Sequence, residues 1–427
     1  MEKNLIPVNR LNTGCENCSE SKGVLRNPVF FRILLILIWA QNTIWHFVVE
    51  VIERLPVVNV LAEFVMPVCI ILFIILSLPY FAAHLRAGDL FVYLIALLVV
   101  GFTLLFYPDN EEYIFEDLQR VLLAAVPMYY LGASYEHDAC KKDLFWFSLL
   151  GVIAMMAYQF YYVSTGRVVL EDNMDAAYNV LPSILYLGYW AFDRKKIRYW
   201  LLFIISTVLL FMYGTRGPIL AVVVFVALEI FARLIISRAH IKLFVLCVLI
   251  FAFLLILFTT DLFTSLIEAL SQLFERLGFS TRIFDMFLEG DLSYSSGRDK
   301  LREKVFAAIW ENPLFGYGIF GDRVIIGGSY VHNIFVELWC DFGILLGTAL
   351  IIALIILIIK TIRCSCNTSV FYFVILLISA VFTKLMLSGS YLTEQYFFFL
   401  IGLSVKCIRD YKRRKKEEER LSDKLEL

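Results

Sequence analysis

Long apolar runs repeat along almost the whole chain, and they limit the folds that it can adopt. Runs of about 16 to 24 residues recur between Val29 and Ile408, and a helix needs about 20 residues to cross the hydrocarbon core of a bilayer. Only 18% of the 427 residues are charged and 60% are hydrophobic, whereas soluble domains carry about 25% charged residues. The sequence therefore predicts an all-α polytopic membrane protein.

The apolar runs predict about twelve transmembrane helices. They lie near residues 29–48, 61–81, 88–107, 115–134, 144–163, 176–192, 199–213, 217–236, 241–260, 343–360, 369–388 and 393–408. One connection is much longer than the others. The predicted segments are thus a tail at 1–28, nine spans within 29–260, a loop at 261–342, three spans within 343–408 and a charged tail at 409–427.

The distribution of Lys and Arg among the loops predicts the orientation, because short basic loops stay on the cytoplasmic side. Alternate connections carry the basic residues: Arg86, Lys141 and Lys142, the segment 193–198, Arg238 and Lys242, Lys360 and Arg363, and the tail at 409–420. Other connections, such as 107–117 and 170–175, are acidic or neutral. Both termini are therefore expected in the cytoplasm, and the loop 261–342 is expected on the extracytoplasmic side.

The N-terminal residues argue against a cleaved signal peptide, and the net charge gives no indication of a nucleic-acid partner. The polar segment MEKNLIPVNRLNTGCENCSESKG has no apolar core, so we interpret it as a cytoplasmic tail and not as a cleaved signal. A formal net charge of −1 gives no reason to expect a nucleic-acid partner. The lipid bilayer is the first partner that the composition implies.

Nine cysteines are scattered along the chain, and four of them form two short motifs. Cys15 and Cys18 form a CxxC motif in the tail, and Cys364 and Cys366 form a CxC motif in a cytoplasmic loop. Four thiols on one side of the membrane could hold zinc, but their spacing is that of neither a zinc ribbon nor a zinc finger. Reduced cytosolic thiols are the preferred interpretation, and no metal site is predicted.

The long loop contains two predicted helices. In DLFTSLIEALSQLFERLGF, at 261–279, leucines recur at helical spacing, which predicts a helix along the outer membrane surface or packed on the ends of the spans. The second helix begins within SSGRDKLREKVFAAIW, at 295–310, where Ser296 and Asp299 have the spacing of a capping pair.

The second loop helix has two unlike faces. Helical periodicity places Arg298 and Arg302 on the face that carries Val305, which is expected to pack inward. The other charged side chains point away from that face. Because Phe306 and Trp310 lie near the charged side, we expect the helix to be contacted on more than one face. A solvated surface is the alternative for any run of charges.

A glycine-rich segment, ENPLFGYGIFGDRVIIGGSY at 311–330, follows this helix. Pro313 ends the helix, and the glycines permit tight turns or a close approach of the backbone to a ligand. The G-Y-G-x-x-G motif follows a helix and not a strand, so it does not fit a dinucleotide-binding turn.

Two of the five histidines, His46 and His332, are predicted near the outer face. His46 lies among aromatic residues in IWHFVV and is expected to be packed or interfacial. His332 follows the glycine-rich segment and precedes a predicted helix, whose positive dipole end favours neutral imidazole, the form that a general base requires. The alternative for a lone histidine is a structural role.

Further charged residues are predicted at the outer ends of spans. Arg216 lies in YGTRGPILAVVV, where a guanidinium beside a helix N-terminus forms an anion site suited to phosphate; an arginine that anchors the span at the interface is the alternative. Arg120, Lys384 and Glu63 are secondary candidates, because ionisable groups are costly in a bilayer. Arg120 and Lys384 could also extend to the interface without a functional role.

Missing motifs exclude several enzyme classes. The sequence has no outward D-x-D, no H-E-x-x-H, no Walker loop and no G-x-S-x-G. A metal-dependent transferase, a zinc protease, an ATPase and a serine hydrolase are therefore disfavoured.

Three blocks in the second half of the chain resemble motifs of the bacterial O-antigen ligase and O-antigen polymerase superfamily. They are GTRG at 214–217, SSGRDKLREKVFAAIWENPLFGYGIFG at 295–321 and YVHNIFVELWCDFGILLG at 330–347. In the family these are an S-R-G-like turn, an S-G-R…W…P-x-x-G-x-G block and an H-N-x-x-L-x-x-x-x-x-x-G block. Thr215 stands where serine is common, and Phe335 and Val336 replace a more usual leucine pattern.

The resemblance implies a GT-C-type, metal-independent inverting glycosyltransferase without a cofactor, in the bacterial inner membrane. Its donor would be an undecaprenyl-diphosphate-linked glycan, and its acceptor a second glycan. Arg216, Arg298 and Arg302 would bind the diphosphate and stabilise its developing charge. His332 would take the proton from the attacking hydroxyl.

Secondary roles and alternatives also follow from the resemblance. Asn333 and Glu337, one helical turn apart, could orient the acceptor or His332. The favoured function is a surface-polysaccharide polymerase, which could work with a chain-length regulator, and the first alternative is a ligase that transfers the glycan to a lipid A core. A transporter or flippase for lipid-linked sugars is disfavoured, because the long loop is unpaired and transporters keep their sites at the midplane between repeats.

Overall fold

A computed structural model of the protein describes residues 85–164, 174–213, 215–236, 262–276, 298–366 and 368–425, with isolated positions within 68–82 and 245–288. The predicted spans near 29–48, 61–81 and 241–260 and the N-terminal tail lie wholly or almost wholly outside the described residues. The expected helix start at Ser296 also lies outside them.

Thirteen α-helices make up almost all of the described part of the chain, which contains no strand. They are α1 (Ala87–Phe106), α2 (Glu111–Arg120), α3 (Val126–Ser134), α4 (His137–Ser164), α5 (Met174–Arg194), α6 (Ile197–Phe211), α7 (Arg216–Ile236), α8 (Leu262–Arg276), α9 (Arg298–Glu311), α10 (Gly321–Ile326), α11 (Ile334–Ser365), α12 (Phe371–Leu387) and α13 (Gln395–Leu425).

Four of these helices, α1, α4, α7 and α11, contain stretches long and apolar enough to cross a membrane. Helices α6 and α12 are apolar but shorter. The predicted spans from 88–107 to 217–236 and from 343–360 to 393–408 all fall on helices, with 115–134 divided between α2 and α3 by a π-helical turn. The protein is therefore a helical membrane protein, as its composition predicted.

The core forms around α5, most of whose side chains are buried. Helices α4, α6, α7 and α12 surround it. By contrast, apolar side chains of α1 such as Leu97 and Leu105 are 69% and 74% exposed. Apolar side chains in the centre and on the outer faces are the arrangement expected when the surrounding solvent is lipid.

Glycines bring α3 and α13 into close backbone contact. A Cβ on Gly132 would overlap the carbonyl oxygen of Phe399, and a Cβ on Gly402 would overlap that of Tyr129. Small residues let helices in a membrane approach closely, where packing replaces the hydrophobic effect as the source of association. This contact joins the last helix to the middle of the bundle.

The glycine-rich segment fills a break in α11. At Gly343 the backbone leaves helical geometry, with φ 74° and ψ 170°. The backbone N–H of Tyr317 donates to the carbonyl of Cys340 at 2.7 Å, and the N–H of Ile344 donates to the carbonyl of Pro313 at 2.7 Å. A Cβ on Gly316 would overlap this backbone. The close approach permitted by Gly316 is therefore to α11 and not to a ligand.

The first loop helix, α8, packs on protein and not only on a membrane surface. Its Ile267 and Phe274 are buried together with Met212, at the end of α6, and Phe284. Of the two placements that the sequence left open, this contact favours packing on the end of a span.

The second loop helix, α9, buries Val305, Ala308 and Ile309, and Arg298 and Arg302 are half-buried on the same side, as periodicity predicted. Within the described residues no protein group covers the second face, because Phe306 and Trp310 are 38% and 71% exposed. Exposed aromatic side chains are typical of a membrane interface, where lipid takes the place of a protein contact.

Candidate functional site

His332 lies in the turn immediately before α11. Asn333 is the N-cap of that helix, and its Oδ1 accepts hydrogen bonds from the backbone N–H groups of Phe335 and Val336 at 3.0 and 3.3 Å. His332 itself has φ 56°, in the left-handed region that is uncommon for a residue other than glycine. The cap therefore fixes where the imidazole stands, and the side-chain oxygen of Asn333 is used in that role.

The imidazole of His332 is half-buried beside cationic groups. Its ring lies 4.2 Å, between centroids, from that of Tyr330, and its buried Nδ1 has no hydrogen-bond partner in the described structure. Burial, together with the charges of Arg298 and Arg302, lowers the pKa of His332 to about 4. The neutral imidazole expected from the sequence is thus favoured, and burial is the largest cause of its lowered pKa.

Arg298, the first residue of α9, is held by neutral groups. Its Nη1 donates to the carbonyl of Leu387 at 2.7 Å, and its Nη2 lies 3.4 Å from the sulfur of Met174. It has no ion pair with a carboxylate within the described ranges. Its positive charge is therefore oriented but not neutralised.

Arg302 lies one turn further along the same face of α9. Its nearest recorded carboxylate is that of Asp299, 3.8 Å away and 59% exposed, and such an exposed pair contributes little. The Nε atom of Arg302 is buried without a hydrogen-bond partner among the described residues. Both arginines lie close enough to His332 for their charges to lower its pKa.

Arg216 is the first residue of α7, and its neighbour Gly217 connects it to α5. A Cβ on Gly217 would overlap the hydroxyl of Tyr178. That hydroxyl donates to Oγ of Ser388 at 3.2 Å, and Ser388 Oγ lies 3.5 Å from the sulfur of Met174, which also contacts Arg298. A continuous series of contacts therefore joins the start of α7 to the surroundings of Arg298.

The connection between α12 and α13, which the sequence did not indicate, joins the site together. We call residues 388–391 the hinge loop. The carbonyl of Ser388 accepts from the Tyr330 hydroxyl at 2.6 Å. The hydroxyl of Ser390 donates to Glu337, and that of Tyr391 donates to Asp341 at 2.7 Å. The run S-G-S-Y at the end of an apolar span was the available signal for this loop.

The secondary sequence candidates have other partners or are not described. Glu337 is 1% exposed and bonded to the hinge loop, so it does not face open space. Lys384 forms an ion pair with Glu394 at 2.5 Å and lies 5.6 Å from the centre of the Tyr178 ring. The side chain of Arg120 lies outside the described residues, and Asp117, in the same helix, pairs with Arg323.

Metal ligation is not indicated within the ranges that the structure describes. They contain no group of three or more His, Cys, Asp or Glu side chains placed to hold a metal ion. Cys364 and Cys366 are free thiols, and Cys15 and Cys18 lie outside the described ranges.

The geometry of the site suits an anion beside a proton acceptor. Arg298 has no carboxylate partner in the described structure, and Arg302 has only the exposed Asp299. The positive charge of both side chains therefore favours binding of a phosphate. His332 supplies a neutral imidazole at the same place, which can accept a proton. Sequence periodicity had placed the two arginines together, but their proximity to His332 depends on contacts between α9, α11 and the hinge loop.

Residues 201–352 match the model of a protein family described as O-antigen ligase. Arg216, Arg298, Arg302 and His332 all lie within the matched segment. Searches among curated proteins and among solved structures found no match to the chain. The matched segment covers all three blocks that resemble motifs of the O-antigen ligase and O-antigen polymerase superfamily, and the match supports that resemblance.

Proposed function

We propose that the protein is a glycosyltransferase that polymerises undecaprenyl-diphosphate-linked oligosaccharide repeats into a surface polysaccharide, such as O-antigen, capsule or exopolysaccharide. The observation that carries the proposal is the placement of His332 beside Arg298 and Arg302, within a segment that matches the O-antigen ligase family. The enzyme works without a metal and inverts the configuration of the donor sugar.

The arginines bind the diphosphate of the donor. Arg298 and Arg302 project from one face of α9, and Arg216 lies at the N-terminus of α7, where backbone N–H groups and the helix dipole also favour an anion. Negative charge grows on the bridging oxygen as the glycosidic bond to phosphate breaks. Groups already oriented toward that oxygen stabilise the transition state more than the ground state.

His332 is the general base. A hydroxyl of the acceptor glycan attacks C1 of the donor sugar, a new C–O bond forms, and the bond from C1 to the diphosphate breaks. The hydroxyl proton passes to His332, and the polyprenyl diphosphate leaves with the electron pair of the broken bond. The neutral state of the imidazole is required for this step, and burial favours it.

Donor binding strengthens this base. The charges of Arg298 and Arg302 lower the pKa of His332 in the free protein. A diphosphate bound between them opposes these charges and raises the pKa of His332 toward its ordinary value. The base is therefore strongest when the donor is present.

The site faces the extracytoplasmic side of the bacterial cytoplasmic membrane, and both termini lie in the cytoplasm. The distribution of Lys and Arg among the predicted loops supports this orientation. The segment 261–342 forms the extracytoplasmic loop that carries α8, α9 and α10 and delivers His332 to the membrane surface.

Reconstitution in lipid vesicles tests the proposal. Purified protein given a lipid-diphosphate oligosaccharide as both donor and acceptor should lengthen the glycan and release free lipid diphosphate. Movement of the substrate across the bilayer without a new glycosidic bond would instead identify a transporter or flippase and contradict the enzyme proposal.

A ligase is the second candidate, because the matching family model is described as O-antigen ligase. The same site would then transfer the glycan to a sugar of a lipid A core. A competition assay with equal amounts of lipid-linked repeat and lipid A core oligosaccharide separates the two functions. Polymerisation predicts longer lipid-linked chains, and ligation predicts glycan attached to the core.

A further inference from the structure

Three buried acids lie behind the turn that carries His332. Asp322, Glu337 and Asp341, which we call the acidic cluster, are 0%, 1% and 1% exposed. Among the described residues, the arginine buried with these acids is Arg323, which is 8% exposed and pairs with Asp117. Carboxyl groups outnumber the guanidinium, and such a cluster is costly to bury unless its members are protonated or hydrogen-bonded.

The acidic cluster makes hydrogen bonds in two directions. On one side, Oδ2 of Asp322 accepts from the backbone N–H of Val331 at 2.9 Å, immediately before His332. On the other, Glu337 accepts from the hydroxyl of Ser390 and from the N–H of Tyr391, and Asp341 accepts from the hydroxyl of Tyr391. The hinge loop is therefore tied to α11 by three hydrogen bonds.

The two directions lead to different parts of the candidate site. The bond from Asp322 ends at the backbone of the His332 turn, whose left-handed φ of 56° must be maintained by its surroundings. The bonds from Glu337 and Asp341 end in the loop directly after Leu387, whose carbonyl oxygen orients Arg298. The acidic cluster thus contacts both the turn that carries His332 and the loop that follows Leu387, the residue that orients Arg298.

We propose that the acidic cluster is a pair of positioning supports: Asp322 holds His332, and Glu337 with Asp341 holds the hinge loop that orients Arg298. The inference rests on the proposed function, since it assigns kinetic consequences to each support. Neither support touches the substrate. Displacement of a reacting group by about 1 Å can reduce a rate roughly 100-fold, so small losses of support are measurable in catalysis.

The proposal predicts that the two supports affect different kinetic constants. Asp322→Ala removes the acceptor for Val331 N–H and should lower kcat roughly 10- to 100-fold with little change in the donor KM. Asp322→Asn keeps a side-chain oxygen for that bond and should recover most of the lost rate. Tyr391→Phe removes one bond to the hinge loop and should raise the donor KM about fivefold, with a smaller effect on kcat.

A spectroscopic readout separates positioning from general destabilisation. Histidine-labelled protein in lipid nanodiscs gives an imidazole NMR signal for His332, identified by its loss in His332→Ala. Asp322→Ala should move this signal, whereas Asp322→Asn and Tyr391→Phe should leave it near its wild-type position. Thermal unfolding of each variant in the same nanodiscs establishes that it is folded.

The outcomes are distinct. Equal losses of kcat, donor affinity and thermal stability in Asp322→Ala and Asp322→Asn would show that the acidic cluster only stabilises the fold. That result would overturn the inference. An unchanged His332 signal in a folded Asp322→Ala would also overturn it. If wild-type protein forms no glycosidic bond, the proposed function fails, while the NMR comparison still decides whether Asp322 positions His332. If Asp322→Ala does not fold, Tyr391→Phe still tests the second support, because an unchanged donor KM in this variant would overturn the inference.

Discussion

His137 and His332 are both withdrawn from solvent, but their surroundings differ. His137, at the start of α4, is 4% exposed, and both ring nitrogens are bonded, to the hydroxyls of Tyr135 and Tyr189 at 3.1 and 2.9 Å. His332 has a buried Nδ1 without a partner in the described structure and stands beside two arginines. A fully bonded histidine has no free ring nitrogen for a substrate, so we expect a structural role for His137 and propose the catalytic one for His332.

The arginines show the same contrast. Arg233 in α7 donates through Nε and Nη2 to Glu229, and its guanidinium lies 4.2 Å from the centre of the Tyr372 ring. Arg298 is oriented by a carbonyl and a thioether, neither of which carries charge. An arginine that has a carboxylate partner supports the fold, whereas one held by neutral groups keeps its charge for an anion.

The largest expected effect separates the two histidines. His332→Ala should lower transfer at least about 100-fold while donor binding and folding persist, because only the proton acceptor is lost. His137→Ala should leave transfer by the folded protein nearly unchanged but reduce stability by about 1 to 3 kcal/mol, because two buried hydroxyls each lose one hydrogen bond. Glycan transfer, donor binding and thermal unfolding measure these effects. Full transfer by His332→Ala would remove the base assignment.

The next comparison concerns charge on α9. Arg298→Ala should weaken donor binding and lower kcat/KM roughly 10- to 100-fold, because an oriented guanidinium is lost from the diphosphate site. Lys300→Ala removes one positive charge from the exposed side of the same helix and should have little effect. Donor titration and transfer rates at two salt concentrations provide the measurement. Equal losses in both variants would indicate a general effect of charge and not a site.

A glycine pair tests whether the α7–α5 contact supports the site. Gly217→Ala places a methyl group where the Tyr178 hydroxyl lies, so it should displace that side chain and reduce transfer about tenfold. Gly88→Ala in α1 meets no atom within 4 Å and should be neutral or slightly stabilising. Transfer rates and unfolding temperatures are compared for both. Wild-type activity in Gly217→Ala would separate this contact from the site.

The smallest effect is the pH dependence. Because the pKa of His332 is lowered to about 4, the imidazole of the free protein remains neutral down to that region, and kcat/KM should stay level as pH falls through 6. The fall of kcat/KM at acidic pH should therefore lie near pH 4 and not near the ordinary pKa of histidine. Arg302→Ala removes one charge that lowers this pKa, so this fall should move to higher pH. A fall that does not move in this variant would contradict the coupling.

Local patterns were sufficient to predict some parts of the site. Arg298 and Arg302 share a face because they are four residues apart in a helix, and His332 precedes α11 because Asn333 is a good N-cap. Their roles depended on the resemblance to a family, which the match at residues 201–352 supports. These features are local in sequence, so they can be recognised without a fold.

The remaining parts of the site come from contacts between distant residues. Tyr178 and Ser388 are 210 positions apart, and Arg298 is 89 positions from Leu387. Glu337 was suggested as a group that could orient the acceptor or His332, and the structure places it against the hinge loop, because α11 turns that side toward Ser390. No periodicity or spacing in the sequence reports which polar side chains meet across helices.

The apolar runs alone determined that the chain is a helical membrane protein, since a bilayer accepts long apolar helices and rejects unpaired backbone groups. Helical periodicity alone determined which side of α9 carries its arginines. Only the tertiary structure decided which polar groups are satisfied. His137 is bonded on both ring nitrogens, by Tyr135 and by Tyr189 of α5, and Arg233 pairs with Glu229 of its own helix beside the ring of Tyr372 from α12. Within the described residues, Nδ1 of His332 has no partner and Arg298 is held only by neutral groups. That difference arises from packing, because a buried polar group is inert or available according to the partners that the fold brings to it.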